Sequence, residues 1–213
     1  WDEVVSPMLR DLLLGDYFVI RNGKEIRCTV TDVVPETEGM GAFWLTQPQH
    51  NPGNVLLIEM GYGTAEFWEV TPQGLIVNGI ATHENSVSRL VENVANDDLV
   101  RAASIGNAEC GANRDFISAA LKHDNYPKLS PPQWAALRQK HETPWVENFR
   151  NFIRRTFGQS DTIGTIVLSG GGAEIIRKHL PVGAFVVPDD PQTASVRGLF
   201  AHYTQLEKVK NAR

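Results

Sequence analysis

The chain has 213 residues, of which 42% are hydrophobic and 21% are charged, and its formal net charge is −5. This composition is typical of a soluble globular protein, and the lack of a basic excess argues against direct binding to nucleic acid or to anionic membranes. No apolar stretch reaches the roughly 18 residues of a membrane span, and we expect no signal peptide. The two cysteines, Cys28 and Cys110, lack metal-ligand spacing and fit a reducing cytoplasm.

The first 45 residues predict a helix, a hairpin and the start of another helix. Apolar spacing over residues 4–14 indicates a helix that Gly15 ends. Asn22 and Gly23 stand between the alternating runs 17–20 and 25–34, which is the strongest short signal for a β-hairpin. Residues 41–45 predict the next helix.

Residues 54–70, NVLLIEMGYGTAEFWEV, contain the first candidate site. The apolar run 55–58 predicts a strand covered on both faces, and Glu59 follows at its end, where it could hold a metal ion or a water molecule. Gly61, Gly63 and Thr64 then form a turn whose glycines permit unusual backbone angles and close approach of an anion. The segment predicts a phosphate-binding hairpin, although an ordinary hairpin with a solvated glutamate fits it equally well.

The remaining elements alternate between strands and helices. After a third strand at residues 75–82, helices are predicted at 85–95, 97–104 and 114–122, with residues 107–113 between the last two. Ser130-Pro131 and Thr143-Pro144 each have the pattern of a helix start. A strand at 165–168, a helix, a strand at 184–187 and a final helix complete the chain. The histidines of the pairs His83-Glu84, His123-Asp124 and His141-Glu142 are interpreted as surface residues. The charges of Asp97 and Asp98 are interpreted as solvated surface.

This order of elements predicts an α/β protein with a mixed sheet flanked by helices, as in a ribonuclease H-like domain. We divide the chain into residues 1–45, a domain formed by 46–95 and 146–213, and a small helical insert at 96–145. In such a sheet, turns that follow adjacent strands lie where ligands bind.

A second glycine-rich turn lies in the segment TIVLSGGGAEIIRKHLP, between a buried strand and a helix. Gly170, Gly171 and Gly172 would let a ligand lie against the backbone, and the positive end of the helix dipole would favour a phosphate group. A tight strand-to-helix connection is the alternative interpretation. Because both glycine turns directly follow a buried strand, we expect them to lie at neighbouring strand ends of one sheet.

The pair LLIEMGYGTAEF and IVLSGGGAEII resembles the phosphate-2 and adenosine motifs of actin-like ATPases, above all those of the plasmid-partition type, ParM or StbA. The resemblance implies that ATP and Mg²⁺ are the cofactors. It also implies that Gly61, Gly63 and Thr64 face the β- and γ-phosphates, and that Gly170, Gly171, Gly172 and Ala173 lie against the adenosine. By the same resemblance, Glu59 is linked to the metal, and Glu36 orients the attacking water.

The chain departs from this family at four places. Glu59 replaces the usual aspartate, and Tyr62 adds bulk to the phosphate turn. Glu84 stands near the position of a glycine that faces the nucleotide, and no phosphate-1 loop precedes residue 36. The resemblance therefore implies the second lobe of a two-lobed ATPase with the tail end of the first, in a chain that begins at Trp1 and is expected to be a fragment. We expect this chain alone to bind ATP weakly and to hydrolyse it hardly at all.

The function that the resemblance implies is formation of cytoplasmic filaments that segregate plasmids or other DNA. The implied partners are further copies of the chain and a DNA-bound adaptor protein. Three alternatives stay open at this point. The chain could be a degenerate, non-hydrolysing interaction module, it could belong to another ATPase or sugar kinase of the same superfold, or the resemblance could concern the fold alone.

Overall fold

The computed structural model describes residues 5–104, 113–158, 161–181 and 183–211. The chain divides into two compact units between Thr37 and Glu38, whereas the sequence placed the first boundary at residue 45. The difference arises because helix α2 (Met40–Thr46) packs on the last helix, α8 (Ala194–Asn211), and so belongs to the second unit. The predicted connection at 107–113 lies, except for Asn113, outside the described residues.

The first unit consists of helix α1 (Val5–Leu13) and a hairpin of strands β1 (Gly15–Arg21) and β2 (Lys24–Val30). Asn22 and Gly23 have φ angles of 54° and 73°, as a type I′ turn requires, and the hairpin prediction is confirmed. Strand β2 ends at Val30, before the predicted end at residue 34.

The second unit contains a four-stranded sheet in the order β5-β4-β3-β6. Its strands are β3 (Asn54–Met60), β4 (Ala65–Val70), β5 (Ile76–Thr82) and β6 (Ile163–Ser169). Strands β3, β4 and β5 form an antiparallel meander, and β6 runs parallel to β3, so the sheet is mixed as predicted. Strand β5 lies at one edge of this sheet and is exposed along nearly its whole length.

The strand predicted at 184–187 is reduced to a single parallel bridge between Val186 and Val167. The segment leaves the sheet soon after that bridge and continues as a loop through Pro188 to α8. The segment therefore lies beside β6, where a fifth strand would be, but it pairs with β6 through the Val186–Val167 bridge alone.

Six helices besides α2 belong to the second unit in the described part of the chain. They are α3 (Val87–Ala95), α4 (Asp98–Ser104), α5 (Arg114–His123), α6 (Pro131–Phe157), α7 (Ala173–Arg177) and α8. Helix α6 is continuous through Pro144, so the helix start predicted at Thr143 is wrong. Proline removes one backbone N–H from a helix, but Trp134 and Leu137 before Pro144 and Trp145 and Phe149 after it are all buried in one cluster, which favours a single helix.

The core lies on both faces of the sheet because β3 is buried on both faces, as the run 55–58 predicted. Leu56, Ile58 and Met60 belong to a large cluster shared with helices α3, α5 and α6. Val55 and Leu57 belong to a smaller cluster with residues of α2 and α8. The described helices between residues 96 and 145 thus share the core of the sheet.

Helices α2 and α8 cross with their backbones in contact. A Cβ atom at Gly41 would lie 1.7 Å from the Ser195 carbonyl oxygen, and one at Gly198 would lie 1.7 Å from the Gly41 carbonyl oxygen. Glycine is therefore required at both positions for the helices to pack at this distance.

Candidate functional site

The two glycine turns follow the neighbouring parallel strands β3 and β6, so both lie at the same end of these strands. Glu59 near the end of β3 is in register with Ser169 at the end of β6. The Gly172 amide donates a 3.0 Å hydrogen bond to the Met60 carbonyl, which ties the second turn to β3. The predicted adjacency of the turns is confirmed.

The turn at Gly61–Thr64 is held by the start of helix α3. The amides of Val87 and Ser88 donate hydrogen bonds of 3.3 and 2.7 Å to the carbonyls of Gly61 and Tyr62. Tyr62 is 49% exposed, so much of its side chain faces solvent. The conformation of this turn is therefore fixed by α3.

Neither Gly61 nor Gly63 has a positive φ. The prediction that these glycines provide unusual backbone angles is therefore wrong. Gly61 is needed because a Cβ atom would lie 2.7 Å from the Thr64 carbonyl oxygen. A Cβ atom at Gly63 would meet nothing within 4 Å, so the backbone is open to a ligand there.

The residues of the second turn differ in what they face. Gly170 has a φ of 90° and lies against β3, and a Cβ at Gly172 would lie 2.3 Å from Met60 Cγ. Ala173 is fully buried in the core. Only Gly171 faces open space, since a Cβ atom there would meet nothing within 4 Å.

Gly171 borders a cavity of about 540 Å³. The other lining residues come from the end of α5, from α6 and α7, and from the loop before α8: Leu121, Lys122, His123, Asp124, Arg138, Glu174, Ile175, Lys178, Asp190 and Gln192. Lys122 Nζ donates a 3.1 Å hydrogen bond to Gln192 Oε1, which connects two of these walls. The wall carries charges of both signs, which suits a ligand with many hydrogen-bonding groups.

A buried ionic cluster lies behind one wall of the cavity. Glu142 is 2% exposed and accepts hydrogen bonds of 2.7 Å from Arg138 Nε and 2.9 Å from His179 Nε2. Lys178 Nζ lies 3.0 Å from Glu142 Oε2, and Arg138 also pairs with Asp124. The ionic partners of Glu142 compensate the cost of burying its charge.

Asp97 is also buried, contrary to its interpretation as solvated surface. Its Oδ2 accepts hydrogen bonds of 2.6 Å from Lys140 and 2.8 Å from His141, both on α6. Burial alone would raise the pKa of Asp97, but these hydrogen bonds outweigh it and lower the pKa to about 2. Asp97 thus anchors the start of α4 to α6.

Glu59 is 8% exposed, and its Oε2 accepts a hydrogen bond from the fully buried Ser169 hydroxyl. Burial is the main cause that raises the pKa of Glu59, from its usual 4.5 to about 7. The Ser169 hydrogen bond lowers it in part, whereas the nearby charges of Glu38 and Glu66 raise it further. At neutral pH a large fraction of this carboxyl group is therefore protonated.

Glu59→Gln is expected to remove one component of the pH dependence of stability. Because the folded state binds this proton more tightly than the unfolded state, the free energy of unfolding should fall as pH rises from 4.5 to about 7. The upper limit of this loss is about 3.5 kcal/mol, at about 1.4 kcal/mol per pH unit over the pKa shift from 4.5 to about 7. Urea unfolding of both proteins at several pH values measures it, and equal slopes in the two proteins would contradict the assigned pKa.

Glu36 lies in the first unit and is exposed. Its predicted role in orienting water stays a prediction, as do the phosphate contacts predicted for Gly63 and Thr64.

The described residues fit a nucleotide better than they fit a metal ion at Glu59. The open backbone at Gly63 and Gly171, with the cavity next to Gly171, leaves room for a ligand of nucleotide size. Mg²⁺ requires roughly six oxygens in near-ideal octahedral geometry, whereas the Glu59 carboxyl is buried, bonded to Ser169 and partly protonated. Among the described residues, no group of three or more His, Cys, Asp and Glu could hold a metal ion.

Three solved structures show the fold to which this geometry belongs. Alp7A, an actin-like protein, is 15% identical with a TM-score of 0.71, and the alignment covers 97% of this chain and 63% of that one. Ta0583, an archaeal actin homologue in complex with ADP, is 16% identical with a TM-score of 0.69, covering 96% and 68%. A ParM filament subunit from Clostridium botulinum is 12% identical with a TM-score of 0.63, covering 95% and 62%.

The chain has the actin-like fold, with the mixed sheet and flanking helices of a ribonuclease H-like domain. It spans 64% of the length of Ta0583 in that protein's native structure. No protein-family model and no curated protein matches the sequence. None of the helices in the described ranges combines the length and hydropathy that crossing a bilayer requires.

Sequence reasoning missed the charged residues of the cavity wall, of which Lys122, Glu174 and Lys178 are the clearest. Glu174 and Lys178 could have been found, since they follow the second glycine turn at the spacing of one helical face. Lys122 could not, because its place beside Gln192 depends on contacts between residues 70 positions apart.

Proposed function

We propose that this chain is the nucleotide-binding part of an actin-like protein and that it binds ATP beside the C-terminal ends of β3 and β6. The observation that carries the proposal is the adjacency of two glycine turns, one of which opens onto a cavity of about 540 Å³. Ta0583, which has a similar fold, was solved in complex with ADP, and this supports the proposal.

In this proposal each glycine turn contacts a different part of the nucleotide. Gly171, Lys122 and Glu174 would contact the nucleoside, and the open backbone at Gly63 with the Thr64 hydroxyl would contact phosphate oxygens. ATP supplies a reactive phosphoanhydride, while the protein supplies binding and orientation. Glu36 keeps its proposed role of orienting a water molecule.

Self-association into filaments is the proposed assembly, and it is supported by the ParM filament that shares this fold. A cytoplasmic location, plasmid or DNA segregation and a DNA-bound adaptor belong to the same proposal. The burial of Glu59 favours a second candidate function, a module that binds nucleotide and partners without hydrolysing ATP.

Gly171→Val tests the nucleotide site. The added side chain meets open space, so we expect the thermal midpoint to stay unchanged while ATP affinity falls at least about tenfold, because ligand volume is lost. Calorimetric titration with ATP and a thermal melt measure the two quantities. The matched control is Gln205→Val, which places the same side chain on an exposed position of α8.

Equal ATP affinity in wild type and Gly171→Val would contradict the assigned cavity. Affinity near 1 μM with steady phosphate release from this chain alone would contradict the expectation that it holds only part of the site.

A further inference from the structure

We propose that Glu59 is a positioning residue that holds the second glycine turn against the end of β3, and that it is not a metal ligand. The inference refines the proposed nucleotide site, because it concerns how the two turns are held together. It rests on the surroundings of both carboxyl oxygens of Glu59.

The first oxygen of Glu59 joins β3 to β6. Oε2 accepts a hydrogen bond from Ser169 Oγ, and Ser169 is fully buried at the point where β6 ends. The same hydroxyl lies 3.4 Å from the Ile58 carbonyl oxygen, so its position is determined by β3. A buried hydrogen bond of this kind is costly to break, because both groups would be left without water.

The second oxygen lies against the glycine turn itself. A Cβ atom at Gly170 would be 2.6 Å from Glu59 Oε1 and 2.6 Å from the Met60 carbonyl oxygen. Gly170 has a φ of 90°, so glycine suits this position both in conformation and in space. The carboxyl group therefore packs beneath the turn.

A third segment covers the carboxyl group from the direction of α2. A Cβ atom at Gly39 would lie 3.5 Å from Glu59 Oε2 and 3.4 Å from Glu59 Cβ, and Gly39 itself is buried. Backbone thus encloses the carboxyl on two sides, and the Ser169 hydroxyl occupies one of its oxygens. A hydrated magnesium ion, which usually keeps several water molecules, does not fit this enclosure.

The turn that Glu59 holds is the one that borders the cavity. The Gly170 amide donates a 2.9 Å hydrogen bond to the Pro191 carbonyl, and the Gly172 amide donates to Met60, so both amides report on the turn. Gly171 lies between them and faces the cavity. Displacing Glu59 from Ser169 should loosen all three residues.

Hydrogen exchange of the Gly170 and Gly172 amides, measured by NMR on the whole chain without nucleotide, tests the positioning role. We expect Glu59→Ala and Ser169→Ala each to speed exchange about tenfold, as loss of one buried hydrogen bond predicts, and the double variant to add little. Glu59→Gln should restore slow exchange, because its amide oxygen still accepts from Ser169. Unchanged exchange in Glu59→Ala would overturn the proposal.

The matched control is Thr165→Val at the other end of β6. It removes a buried hydroxyl that accepts a 2.8 Å hydrogen bond from the Asn51 amide, so it has a comparable cost but lies away from the turn. Exchange at Gly170 and Gly172 should not change in this variant. An equal increase there would mean that general destabilisation explains the result.

ATP titrations with Mg²⁺ and with EDTA test the second half of the proposal. The ratio of the two affinities should be the same in wild type and Glu59→Gln, and a ratio that collapses in Glu59→Gln would identify Glu59 as a metal ligand and overturn it. If wild type binds no ATP, the proposed nucleotide function fails. The exchange experiment still decides the positioning role, and direct Mn²⁺ titration followed by electron paramagnetic resonance decides the metal role.

Discussion

Gly198→Ala is expected to lower the free energy of unfolding by about 3 kcal/mol, the upper range for overpacking a well-packed contact. The added methyl group would lie 1.7 Å from the Gly41 carbonyl oxygen, so α2 and α8 must move apart. The loss should occur although alanine is the better helix former by about 1 kcal/mol. Urea unfolding of the two proteins measures the difference.

Gly63→Ala is the matched control for this substitution. A Cβ atom there meets nothing within 4 Å and φ is not positive, so the unfolding free energy should change by less than about 0.5 kcal/mol. If Gly198→Ala is as stable as this control, the two helices do not pack at the distance described.

Glu142→Gln is expected to destabilise the second unit by about 3 kcal/mol, the range for breaking a buried ion pair. Arg138 is 7% exposed, and loss of the Glu142 charge leaves Asp124 as the one acidic partner of its guanidinium among the described residues. Lys178 loses the same partner. Chemical unfolding at neutral pH measures the effect.

Two further variants show whether burial of the charge is the cause. Glu92→Gln removes a partly exposed partner of the exposed Arg114 and Arg89, which lie 3.1 and 3.5 Å away, and should cost less than about 0.5 kcal/mol. Arg138→Met combined with Glu142→Leu removes both charges and should recover much of the lost stability. A double variant as unstable as Glu142→Gln would mean that packing determines the loss.

The parts of the fold that could be predicted from the sequence are those that a few neighbouring residues determine. The run 55–58 contains no polar side chain, so a strand covered on both faces was the natural expectation, and β3 is such a strand. Asn22 and Gly23 tolerate positive φ, so they fix the hairpin locally. The shared edge of the two glycine turns followed from their identical position after buried strands.

The buried ionic groups could not be predicted, because their partners are distant in the chain. Asp97 meets His141 across 44 positions, and Glu142 meets His179 across 37. In sequence each acid looks like ordinary surface, since charged residues are seldom buried without a partner. The continuity of helix α6 through Pro144 could not be predicted either, because packing on the core outweighs the local preference of proline to interrupt a helix.

The free edge of β5 has a practical consequence for handling the protein. From Ile76 to Thr82 the strand contains no charged residue and no proline. Val77 in the strand and Leu75 just before it are 57% and 67% exposed. Such an edge is an open template for another extended chain, and lysine or proline is what usually protects it. In concentrated solutions, aggregation through intermolecular β-pairing would therefore begin at this strand.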